Sequence, residues 1–144
     1  VITIREMAIE DYAEVMLLWS EAEGLSLKDA DSPENIAHYL KRNPGLSFVA
    51  LNESEVIAAV LVGTDGRRAY LQHLAVSKEY RRRNIASELL RHTIQALAQI
   101  GISKTHLFVH VDNVKAQHFY EKLGWFARDE VRMYSFNSTS NPQV

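Results

Sequence analysis

Between Leu71 and Ala98 an apolar run carrying Leu71, Leu74, Ala75 and Val76 passes through Arg81-Arg82-Arg83-Asn84-Ile85-Ala86 directly into a helical pattern. A strand that ends in a cationic turn and then a helix start leaves several backbone N–H groups without intrahelical acceptors, beside the positive end of the helix. The arginines and Ser87, one residue further on, crowd the same point. Such a junction is a site for a phosphate or pyrophosphate, and a strand feeding a helix in this way sets the fold class as α/β.

Around this junction the apolar periodicity switches between strand and helix. Val1 to Met7 alternates as a strand, and Ile9, Tyr12, Val15, Met16 and Trp19 recur at helical spacing before Gly24. Ser32-Pro33 reads as a cap with proline at the first helical position, opening a short helix through Ile36, Ala37, Tyr39 and Leu40. Leu46 to Asn52 and Val56 to Gly63 read as a hairpin, and Asp65-Gly66 turns the chain into a third strand from Ala69 to Val76. Ile85, Leu89, Leu90, Ile94 and Leu97 carry a helix to its stop at Gly101. Leu107-Phe108-Val109 reads as a strand, Asn113 to Leu123 as a helix closed by Gly124, and Trp125 to Ala127 and Val131 to Phe136 as the last β segments. The order is β-α-α-β-β-β-α-β-α-β with a final β segment. Residues 1–137 read as a single domain, with 138–144 as a flexible tail.

The chain has 144 residues, 47% of them apolar, enough for one domain with a real core. Sixteen basic and eighteen acidic residues are interspersed to a net charge of −2, so no global field recruits nucleic acid or an anionic membrane. Cysteine is absent, which removes disulfides, thiol nucleophiles and thiolate metal sites, and suits a reducing cytoplasm. No apolar run reaches membrane-spanning length, and Val1 to Arg5 alternates as a strand and lacks a signal-peptide core, so a cytoplasmic location is expected. His106, His110 and His118 lie near one another in sequence, but no Asp or Glu completes a tight ligand set, and no metal is expected.

A dinucleotide turn needs glycines at its first, third and sixth positions, and a triphosphate loop needs glycine followed by Lys-Ser/Thr; neither is present. The turn instead resembles that of the GNAT superfamily of N-acetyltransferases, Arg/Gln-x-x-Gly-x-Gly/Ala, after a strand that ends here in Leu74-Ala75-Val76. The helix carrying Asn113, Ala116, Phe119, Tyr120, Glu121 and Leu123 before Gly124-Trp125 is similar to that family's last helix. Both motifs occur in order, separated by one helix and one strand, and the resemblance spans Arg5 to Phe136. Asn84 stands where the family has its first turn glycine, and asparagine is the residue that, after glycine, most readily takes positive φ.

The resemblance implies a mixed, mostly antiparallel, twisted sheet of about six to seven strands, with about four helices on both faces. It implies acetyl-CoA as co-substrate, its pyrophosphate on the N–H groups of Arg83 to Ser87 and its pantetheine arm paired like an extra strand with Leu74 and Val76. The cofactor-binding set is then Leu74, Ala75, Val76, Arg81, Arg82, Arg83, Asn84, Ile85, Ala86, Ser87, Asn113, Ala116 and Phe119. The strands near Val76 and Val109 are expected to splay and admit the thioester. A homodimer through the last strands also belongs to what the resemblance implies.

Acetyl transfer to an amine by direct attack, through a tetrahedral intermediate, needs a neutral nucleophile, a cradle for the oxyanion and a proton for the thiolate. An alkyl amine titrates near roughly 10, so about one molecule in a thousand is ready at neutral pH. Backbone N–H at Ala75 or Val76 is the expected oxyanion donor, and Tyr120 occupies the family's acid position. Some members draw their base from a glutamate where this chain has Tyr70, and ribosomal-protein acetyltransferases from one where it has Phe108. His73 and His110 are the titratable groups left nearest the expected site. Alternation along the strand places Gln72 on the face of Leu74 and Val76, and His73 with Ala75 on the other. The expected acceptor is the primary amine of a small molecule, drawn by Glu21, Glu23, Asp29 and Asp31 near the Gly24 to Asp31 loop. A protein N-terminus of the ribosomal-protein type is the second reading, and a non-catalytic acyl-CoA-binding module the third.

Overall fold

The computed structural model describes residues 1–144, which gather into two compact units, Val1–Phe108 and Val109–Val144. In the first unit the strands are β1 (Ile2–Glu6), β2 (Phe48–Asn52), β3 (Glu55–Thr64), β4 (Ala69–Val76) and β5 (Thr105–Leu107). The helices are α1 (Tyr12–Ser20), α2 (Pro33–Arg42) and α3 (Ile85–Gln99), with α4 (Val114–Lys122) in the second unit. The sheet runs β1-β2-β3-β4-β5, antiparallel until the last pair, which is parallel. The α3 crossover accounts for that change of direction, because parallel neighbours cannot be joined by a hairpin.

β3 is the centre of the core, buried from Val56 to Gly63 on both sides. Val56, Ala59 and Leu61 join Val15, Leu18 and Trp19 of α1 and Ile36 of α2 in one apolar cluster. The alternate residues Ile57, Val60 and Val62 are fully buried as well. α3 packs against β2, β3 and β4 through Leu89, Leu90 and Leu97, and its buried Thr93 hydroxyl donates to the Leu46 carbonyl at 3.1 Å. Helices therefore cover both faces, and the element order matches the sequence reading through α4.

The number of strands does not. Five strands form, where about six to seven were expected: β5 ends at Leu107 before Val109, and neither Trp125 to Ala127 nor Val131 to Phe136 is a strand. An alternating apolar pattern becomes a strand only when a neighbour takes up its backbone groups. Val131 to Phe136 has none, and Phe136 is 91% exposed.

One ion pair fixes the entry to α1. The Arg5 guanidinium nitrogens Nη1 and Nη2 each donate to the Asp11 carboxylate at 2.8 Å, and the Ala8 N–H donates to the same group at 2.9 Å. The hydrogen bond from Arg5 holds the Asp11 carboxyl below the usual aspartate range, against the opposing effect of burial. Because Arg5 is 48% exposed, the expected cost of Asp11→Ala is only about 1–2 kcal/mol. A depressed folded-state value makes this contribution complete above about pH 3.9 and lost as the pH falls through that lower value. Urea unfolding of the two proteins at neutral and acid pH should show the gap closing at the acid end.

Candidate active site

β4 carries the irregularity on which the site depends. Ala59 faces Ala75 and Leu61 faces Gln72, so two residues, His73 and Leu74, stand opposite the single Val60. This is a β-bulge, and His73 takes φ 52 in it, a conformation costly for a residue with a Cβ. The bulge corrects the face assignment drawn from simple alternation. Gln72 lies opposite Leu61 and Ala75 opposite Ala59, both members of the α1/α2 cluster, so Gln72 shares the face of Ala75, not that of Leu74 and Val76.

The β4–β5 ladder stops at Leu71–Leu107, while β4 runs on to Val76. That leaves the last residues of β4 with a free side. The Ser77 N–H donates to the Ile57 carbonyl of β3 at 2.8 Å. Successive amides point to opposite sides of a strand, so those of Val76 and Leu74 face away from β3, toward the open edge. Of Ala75 and Val76, Val76 is therefore the residue whose N–H points to the side of β4 left without a strand partner. Its carbonyl, on the same side, accepts from Arg81 Nε at 3.3 Å.

The turn into α3 adopts the strained geometry that its sequence suggested. Asn84, the N-cap, has φ 63, and Arg82 has φ 64. The first helical bond runs from the Glu88 N–H to the Asn84 carbonyl at 3.1 Å, so the amides of Ile85, Ala86 and Ser87 have no intrahelical acceptor. Residues 81–84 are exposed, with the Arg83 guanidinium 5.1 Å from the Tyr80 ring centre. Unpaired amides, a helix N-terminus and three arginines fit a diphosphate, and the open β4 edge fits an extended amide-bearing arm.

His73 is the best-anchored histidine of the chain. Its Nε2 lies 2.9 Å from Asp31 Oδ1, and its ring packs 4.9 Å from that of Trp19. Asp31 is buried in a short helical turn, Asp29–Asp31, where its other oxygen accepts the Lys28 N–H at 3.1 Å. Sequence reasoning placed Asp31 among the surface acids drawing a cation; the structure spends its carboxylate on His73. Beside Gln72 a cleft of about 280 Å³ opens between Tyr39, Arg42, Asn43 and Tyr70. Burial pushes the Tyr39 phenol up to about 12.

In the second unit Asn113 caps α4, its side-chain oxygen accepting the Ala116 N–H at 3.2 Å. Ala116 and Phe119 are half-buried, and the Tyr120 ring makes edge contacts with Phe119 at 5.1 Å and Trp125 at 5.7 Å. Burial pushes the Tyr120 phenol up to about 12, which keeps it protonated throughout the physiological range. The His110 side chain is exposed. No group of three His, Asp or Glu side chains is placed to hold a metal ion, and no helix is long and apolar enough to cross a membrane.

Comparison with known proteins points the same way. The model of the Acetyltransferase (GNAT) family matches residues 11–125. An acetyltransferase of Sodalis glossinidius is 33% identical over 129 residues, 89% of each chain. The crystal structure of the PaiA N-acetyltransferase from Thermoplasma acidophilum in complex with coenzyme A superposes with TM-score 0.80 at 23% identity, over 90% of this chain and 92% of that one. An aminoglycoside acetyltransferase from an uncultured soil metagenomic sample, in complex with sisomicin, gives TM-score 0.76 at 20% identity over 96% and 97%. A strand with an open edge, a left-handed turn of arginines and a family match across most of the chain converge: this protein belongs to the GNAT family and is an acetyl-CoA-dependent N-acetyltransferase.

Proposed function

We propose that the acceptor is the primary amine of a small molecule, and that the residues from Leu74 to Ser87 hold the co-substrate that acetylates it. The observation carrying this reading is the run of unclaimed amides, Val76 on the open edge of β4 and Ile85 to Ser87 at the start of α3. Arg81, Arg82 and Arg83 supply charge for the diphosphate, while Leu74 and Val76 pair with the pantetheine arm and Ala75 anchors β4 to the core. By the resemblance, Asn113, Ala116 and Phe119 complete the cofactor side. The cleft at Tyr39 reaches β4 at Gln72, the neighbour of His73, and its volume of about 280 Å³ is of a size for a small acceptor.

His73 serves as the base, with His110 as the second candidate; the fixed ring of the former is better prepared to take a proton at one atom. Val76 N–H donates to the carbonyl oxygen as negative charge gathers there. Tyr120 donates a hydrogen bond to the departing sulfur. With its phenol near 12 it stays a donor and does not ionise ahead of the thiol, whose ordinary value is about 8.5. The reading extends to one domain over residues 1–137, a tail at 138–144, a cytoplasmic setting and a homodimer.

Thiol release from acetyl-CoA against a panel of small primary amines and a panel of N-terminal peptides tests the acceptor. Turnover is expected with small amines; turnover with peptides alone establishes the protein N-terminus, and coenzyme binding without turnover establishes the acyl-CoA-binding module. Asn84 gives a second check. Asn84→Val forces a β-branched side chain into a left-handed position and is expected to cost about 1–2 kcal/mol of stability and weaken coenzyme A binding. Asn84→Gly should preserve both in melting and calorimetry.

A further inference from the structure

We propose that Asp31 is the positioning residue of the His73 base, an inference that rests on the reading of His73 given above. Four observations meet at this pair. The carboxylate accepts from Nε2 at 2.9 Å, and both side chains are largely withdrawn from water, 14% exposed for His73 and 9% for Asp31. The second carboxylate oxygen is fixed by the Lys28 N–H at 3.1 Å. The Asp31 carbonyl accepts the Tyr12 hydroxyl at 2.6 Å, which ties the turn to the start of α1. His73 itself sits in a bulge at φ 52 and against the Trp19 ring, so its direction is set by the backbone as well as by its partner.

The chemistry follows from which nitrogen is engaged. An ionised carboxylate only accepts, so Nε2 carries the hydrogen and the lone pair of the neutral ring resides on Nδ1, which makes no hydrogen bond within the protein. Nδ1 is the atom that takes the proton. As the C–N bond forms, one proton of the neutral amine passes to Nδ1; the C–S bond breaks with its electron pair on sulfur, and the thiolate takes up one proton from solvent. His73 then releases its own to solvent, so the turnover balances. During that interval the Nε2–H stays on the Asp31 carboxylate at 2.9 Å, so the ring keeps its orientation while Nδ1 holds the proton. The same carboxylate closes the turn at the end of the loop expected to meet the acceptor. Acceptor loop and base are thus one mechanical unit joined across 42 residues of sequence.

The imidazole meets the Asp31 carboxylate and the Trp19 ring, while Tyr12, on the far side of the turn, has its phenol raised by burial and by the charges of Asp31 and Glu34. The test reads the ring directly, by NMR of the ring nitrogens in imidazole-labelled protein at one fixed pH with no substrate present. In Asp31→Asn the ring-nitrogen signals of His73 should lose the single tautomer with hydrogen on Nε2 that the carboxylate fixes, and kcat should fall roughly 10-fold or more with little change in KM. Tyr12→Phe removes one tether of the turn and leaves the carboxylate in place; it should change the ring signals and kcat much less than Asp31→Asn does. The proposal is overturned if Asp31→Asn leaves the ring-nitrogen signals and kcat unchanged, or if Tyr12→Phe changes them as far. His73→Ala separates the two layers: retained turnover there refutes the base, whereas lost turnover together with His73 ring signals that Asp31→Asn leaves unchanged refutes only the positioning role.

Discussion

Trp19→Ala is expected to lower the unfolding free energy by about 3–5 kcal/mol, the largest stability effect of any single substitution considered. Trp19 is 0% exposed and lies where α1, β3 and the β4 bulge meet, packed with Val15, Leu18 and Ile36. Its removal empties a large volume lined by branched side chains and the His73 ring, which cannot all close in. One feature works against the tryptophan: its buried Nε1 has no hydrogen-bond acceptor, a state that costs about 1–3 kcal/mol. Trp19→Phe deletes that orphaned donor together with part of the ring, so its loss should be clearly smaller than that of the alanine variant. Thermal and urea unfolding of the three proteins decide this. Equal losses for alanine and phenylalanine would mean that the indole N–H has a partner after all.

The largest effect on activity is expected from His73→Ala, a fall in kcat/KM of about 100-fold or more with little change in KM for acetyl-CoA. The reasoning starts from the acceptor. About one alkyl amine in a thousand is neutral at pH 7, so a residue that takes up the proton matters most at neutral pH and least where the free amine is abundant. The deficit of the variant should accordingly shrink as the assay approaches about pH 10. Because φ 52 at this position strains any residue with a Cβ, His73→Asn is the companion variant, since asparagine tolerates left-handed backbone better than alanine. It should keep the stability of the fold and still lose the activity. Wild-type kcat/KM in both variants would remove His73 from the mechanism and leave His110 as the base to examine.

The sequence disclosed most of this architecture because its signals are local. Ser32 before Pro33, with its hydroxyl accepting the Asn35 N–H, and Asn113 capping α4 are read from a few neighbouring residues, and the left-handed Asn84 follows from side-chain chemistry. Three features were hidden for identifiable reasons. The β4 bulge leaves no trace in hydrophobic alternation, because Leu74, Ala75 and Val76 are all apolar and a shift of one position after His73 still leaves apolar residues on both faces. The Asp31–His73 pair spans 42 residues, and nothing near Asp31 distinguishes a carboxylate that folds inward from Glu23 or Asp29 on the surface. Val131 to Phe136 carries a strand pattern without a strand, since pairing requires a neighbour that pattern alone does not supply.

The account stands on the amides that β4 and α3 leave unclaimed. Titration of isotopically labelled protein with coenzyme A, followed amide by amide by NMR, examines them directly. The largest shifts should fall on Ile85, Ala86 and Ser87, with Leu74 and Val76 next, and Arg82 and Asn84 should respond with them. Coenzyme A binding that leaves these amides unmoved, or no binding at millimolar ligand, would contradict it.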